Sequence, residues 1–71
     1  MQTINDNIRL AAAARKAYKG KDVAYLIGMP LQTFYDRMKD PTKWRIDELF
    51  TVCDRCHVNI TWLTEEHKTI M

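Results

Sequence analysis

The stretch of this chain richest in reactive side chains is Cys53-Asp54-Arg55-Cys56-His57, two thiols three apart with an imidazole directly behind them. That is the spacing at which c-type haem is attached covalently. Thiols and imidazoles are also zinc ligands, and His67 would bring the nominal set to four. A CxxC pair can in addition do redox chemistry. Each of these needs more than the residue types. Haem attachment requires export to an oxidising compartment, a large cavity and a second iron ligand, and the start MQTINDNIRLAAAARK has no basic stretch followed by an apolar core. Zinc requires convergent ligands, whereas adjacent Cys56 and His57 point apart from a helix end, and the Cys/His spacing matches no usual finger. What remains is packing. Cys53 and Cys56 continue an apolar stripe that starts at Ile46, and a thiol in a reducing compartment behaves as a small hydrophobe. No cofactor and no metal are expected. The sequon Asn59-Ile60-Thr61 reads as a helix start, since glycosylation needs secretion.

That stripe belongs to a string of short helices. A chain of 71 residues makes one domain, 1–71, burying roughly 60% of the surface its unfolded form exposes, so each apolar face has to count. No segment shows the alternation of a strand, and there are no repeats. A first helix starts near Thr3 and runs to about Tyr18, with Gly20 as its left-handed stop. A second spans about Lys21 to Ile27, turning Val23, Ala24 and Ile27 inward, and Gly28 breaks it. A third, over about 30–40, has Pro30 in its first turn and Pro41 beyond its end. Phe34 and Met38 form its inner stripe and leave Gln32, Tyr35, Asp36 and Lys39 outside. After the polar connection PTKWR, the three-and-four spacing of Ile46, Leu49, Phe50, Cys53 and Cys56 marks the buried face of a fourth helix. Asn59 caps a fifth, which presents Ile60 and Leu63 with Trp62 close by. The expected fold is all-α, a compact five-helix domain.

The net charge of +2 says little, but its distribution says more. Residues 15–45 carry eight Lys and Arg against three Asp, a balance of +5, while residues 46–71 carry two against five, a balance of −3. A basic middle joined to an acidic end is the pattern of a nucleic-acid face with a separate, partner-facing end. No apolar run approaches the ~18 residues of a membrane span, so no membrane is expected and the chain reads as cytoplasmic. No nucleophile, paired carboxylates or phosphate-cradling loop occurs at working spacing, so neither an enzyme nor a small-molecule substrate is expected.

The residues Val23-Ala24, Ile27-Gly28-Met29, Thr33-Phe34, Asp47-Glu48-Leu49 and Val58-Asn59-Ile60-Thr61-Trp62-Leu63 fall in a familiar order. The chain resembles the helix-turn-helix domains of the phage lambda-repressor and Cro family, with the helix-turn-helix at about 21–40. Each matched type has a mechanical reason: Ala24 is small where two helices cross, Gly28 turns the backbone without a Cβ penalty, and Phe34 plugs the space between. Cys53 and Cys56 stand where the family places a buried alanine and leucine, and His57 replaces a common C-terminal glycine. The chain departs from the pattern where Gly20 replaces a phosphate-binding Gln and Pro30 a capping Ser. The family's frequent Arg–Glu pair between the first and third helices is absent.

The resemblance implies a sequence-specific double-stranded DNA-binding transcriptional regulator of phage repressor or Cro type, with the third helix in the major groove. Carried over by position, Leu31, Gln32, Tyr35 and Asp36 would meet base edges, although Asp36 is equally able to pair with a neighbouring Lys or Arg. Lys19, Lys21, Lys39, Lys43, Trp44 and Arg45 would hold phosphates, with Trp44 alternatively folded under its loop into the core. The family usually binds its operator as a dimer, and the acidic C-terminal end with Ile70 and Met71 is the candidate for self-association. The competing expectation is a protein-interaction module on the same fold, one that sequesters a regulator or polymerase.

Overall fold

Three helices of this protein stop in the same way, and those stops set the fold. A computed structural model describes residues 3–65. It contains α1 (Thr3–Ala13), α2 (Gly20–Ile27), α3 (Leu31–Lys39), α4 (Ile46–Cys56) and α5 (Ile60–Thr64), with a single 3-10 turn at Pro41–Lys43 between α3 and α4. The architecture is all-α, and no strand occurs among the described residues. His67, Ile70 and Met71 lie outside them.

Past α1 the backbone turns left-handed at Lys16, with φ 66°. There the Lys16 N–H donates to the Ala13 carbonyl and the Ala17 N–H to that of Ala12, both at 2.9 Å. Gly28 closes α2 likewise, with φ 71° and the Met29 N–H on the Ala24 carbonyl at 2.9 Å. His57 closes α4 with φ 58°, and the Val58 N–H reaches the Cys53 carbonyl at 3.1 Å. These are Schellman-type closures, which satisfy the last carbonyls of a helix. The first of them corrects the sequence expectation: α1 ends at Ala13, and Gly20 opens α2 instead of closing α1. Ala17 decides this, because the early turn carries it into the core, where it is buried.

The core gathers Ile8 and Ala12 of α1, Val23, Ala24 and Ile27 of α2, Phe34 of α3, Leu49 and Val52 of α4 and Leu63 of α5 around Phe34, which is wholly buried. Both cysteines are buried and unpaired within it. Burial pushes both thiols above their ordinary range, which suits packing and opposes thiolate chemistry. Among the described residues no group of three or more His, Cys, Asp or Glu is placed to hold a metal ion, and no helix is long and apolar enough to cross a membrane.

The inner face of α4 is rotated from the one its spacing suggested. Leu49, Val52, Cys53 and Cys56 face in, while Ile46 and Phe50 are 62% and 53% exposed. The spacing alone fits both phases. The phase adopted packs α4 against α2, α5 and α1, and on its flank Glu48 meets Arg37 of α3 through two hydrogen bonds of 2.9 Å.

Two asparagines lock α1 in place. The Asn5 amide donates to the carbonyls of Arg37 and Met38 at 3.3 and 3.1 Å, and its oxygen accepts the Trp44 indole N–H at 2.8 Å. Asn7 donates to the carbonyls of Leu63 at 2.7 Å and Glu65 at 2.6 Å, at the end of α5. Trp44 is therefore a core residue, 9% exposed. Its expected role at a phosphate is withdrawn, because its one polar hydrogen already belongs to Asn5.

Candidate nucleic-acid interface

The outward face of α3 follows from how the helix is seated. The turn at Gly28 leads through Met29 to Pro30, whose fixed backbone (φ −57°) starts α3 without a side-chain cap. Phe34 then plugs the core and Met38 is half-buried, so the opposite side carries Leu31, Gln32, Tyr35 and Asp36, all exposed. The Gln32 amide and the Asp36 carboxylate make no side-chain hydrogen bond or ion pair among the described residues. Their donors and acceptors face solvent.

Tyr35 is 48% exposed, less than a surface tyrosine at liberty. Its ring lies across the start of α2, where a Cβ added to Gly20 would sit 2.7 Å from the phenol oxygen and 2.8 Å from Cε1. Gly20 thus lets the α3 face and the α2 N-terminus approach each other. Lys19, at the N-cap of α2, provides no side-chain cap; its carbonyl takes the Asp22 and Val23 N–H groups at 2.9 and 3.0 Å, which leaves the Gly20 and Lys21 N–H groups without a partner among the described residues, at the helix's positive end.

Basic residues border this face on two sides. Lys19 and Lys21 flank the start of α2, and Lys39 and Lys43 flank the α3–α4 connection; all four are exposed and none forms an ion pair among the described residues. The connection is shaped by Asp40, whose Oδ1 accepts the Thr42 hydroxyl at 2.6 Å and the Thr42 N–H at 3.1 Å. The hydroxyl bond leads in holding this carboxyl below its usual range. Arg45 is exposed as well, but its Nε lies 3.3 Å from Asp47 Oδ1, so an anion would have to displace that partner.

Sequence reasoning missed a pair that ties α3 to α4. Arg37 and Glu48 form a two-pronged salt bridge, each side chain less than one-fifth exposed. The Arg37 hydrogen bonds hold the Glu48 carboxyl below its ordinary range, and the Arg45 N–H, 3.0 Å from Glu48 Oε1, adds to this. Glu48 therefore both caps α4 and ties it to α3. The signal in the sequence was Arg37 three residues after Phe34, on the inner half of α3, and Glu48 three residues after Arg45, the N-cap of α4. No protein-family model, curated protein or solved structure matches this chain.

Proposed function

We propose that this protein is a sequence-specific double-stranded DNA-binding transcriptional regulator of the phage repressor and Cro type, with α3 as the recognition helix. One observation carries the reading: Leu31, Gln32, Tyr35 and Asp36 stand exposed on a helix braced from behind by Phe34 and Arg37, bordered by four lysines that form no ion pair among the described residues. In the major groove Gln32 would bond adenine through both ends of its amide, discriminating by ~1–3 kcal/mol. Leu31 would touch a thymine methyl, and Asp36 would accept from cytosine N4. The α2 amides with Lys19 and Lys21 on one side, and Lys39 and Lys43 on the other, would clamp the two phosphate strands and fix register. Tyr35, leaning on Gly20, joins the reading face to the first clamp.

Selection of binding sites from random duplex DNA tests this. The expected product is an enriched motif, and two copies of it one helical turn apart (~34 Å) are expected if the protein binds as a dimer. No enrichment over input would overturn the proposal. A second reading, a protein-interaction surface on the same fold, draws on the apolar area that Leu31 and Tyr35 expose on this helix. It expects Gln32→Ala and Lys43→Ala to leave partner binding intact, whereas the DNA reading expects both to weaken duplex binding.

A further inference from the structure

An open groove of about 800 Å³ runs between the C-terminal half of α1 and the corner that joins α4 to α5. None of its lining residues belongs to α3 or to the lysine borders. Its floor is apolar: Leu10 is 53% exposed, and Val58 and Trp62 are half-buried. Its rim carries the cations Arg15 and Lys16, with the His57 imidazole beside them. Among the described residues no carboxylate lines it, and none of the three rim side chains forms an ion pair. The depression beside it shares Arg15 and Lys16 and adds Arg55, with Asp22 the one carboxylate there among the described residues.

The backbone gives a second, independent sign. Among the described residues two non-glycine positions have positive φ, Lys16 and His57, and both stand on this rim. A left-handed stop favours glycine, and the chain uses glycine for the same closure at Gly28. A cation at a helix C-terminus gains something from the helix dipole. That gain would apply equally at the end of α2, where glycine stands. Both strained residues thus stand on the rim of this groove, beside Arg15.

We infer that this groove docks an acidic peptide segment of a partner protein. One aliphatic or aromatic side chain of the segment sits on Leu10, Val58 and Trp62, and the flanking carboxylates meet Arg15 and Lys16. The apolar seat supplies most of the affinity, and the cations set register and association rate. The reading face of α3 stays open while the groove is filled.

The test is an amide NMR titration of the full chain with the peptide acetyl-Asp-Glu-Phe-Asp-Glu-Leu-amide, against its Asn/Gln counterpart. The acidic peptide is expected to shift the amides of Leu10, Arg15, Lys16, His57 and Val58 and the Trp62 indole, leaving Gln32 and Asp36 unmoved. The neutral peptide is expected to bind about tenfold more weakly, a gap that narrows with added salt. Lys16→Gly is expected to weaken binding several-fold while holding or raising the melting temperature, and Lys16→Arg to keep the affinity. Equal shifts with both peptides, no shifts at all, unchanged affinity in Lys16→Gly, or the same amides moving on dilution alone, which would mean a second copy fills the groove, would each overturn the proposal.

Discussion

The same chemical group, a side-chain amide, stands in two contrasting regions of this molecule. On α1 the amides of Asn5 and Asn7 are buried and bonded to backbone carbonyls of α3 and α5. On α3 the amide of Gln32 is exposed and makes no such bond among the described residues. A buried amide with its partners in place contributes to stability, and removing it strands those partners away from water. An exposed amide contributes almost nothing to folding and keeps its full bonding capacity for a ligand. The fold thus divides its polar groups into those that assemble the domain and those it holds out.

Substitutions in the two regions should differ sharply. The largest effect is expected at Asn7→Ala, which leaves the last carbonyls of α5 without their donor. The loss is about 2–3 kcal/mol, readable as a fall in melting temperature of roughly 10 °C or more for a domain of this size. An effect below ~0.5 kcal/mol would erase the contrast.

Next is acid sensitivity through Glu48. Arg37 lowers its carboxyl in the folded state, so the stabilisation is present above the ordinary carboxylate range and is lost as pH falls through the depressed folded value. Urea titrations across that window should show Glu48→Gln less stable than the parent at neutral pH, with the two converging in acid. Parallel curves at all pH values would remove the Arg37–Glu48 tie from the account.

The smallest effect on folding is expected at Gln32→Ala, within ~0.5 kcal/mol. The same change should cost ~1–3 kcal/mol of preference at one base position of the bound duplex. A large stability loss there would mean that α3 is held by its outer face as well.

Legibility in the sequence followed the range of the interactions. Gly28, Pro30, Pro41 and Asn59 act locally, through backbone conformation or capping, and their helix boundaries were readable within a residue or so. The outward side of α3 was readable for a similar reason, because Phe34 and Met38 fix its phase within one turn. The end of α1 was not, since Lys16 has no local reason to turn left-handed and only the burial of Ala17 selects it. Trp44 was ambiguous because its partner Asn5 lies 39 residues away. The phase of α4 was open because its spacing fits two faces and its packing partners include α1 and α2, far back in the chain. Asn5 and Asn7 themselves look like ordinary polar residues near a helix start, and nothing short of the tertiary fold marks them as clamps.

The central claim is that α3 meets duplex DNA between two lysine clamps, and the salt dependence of binding tests it most directly. Anisotropy titrations of a selected duplex over a range of salt should give a log–log slope of roughly −3 to −4 per monomer, as expected for about four neutralised phosphates. Lys43→Ala should make that slope about 1 shallower. A slope near zero, or a slope that Lys43→Ala leaves unchanged, would contradict the account.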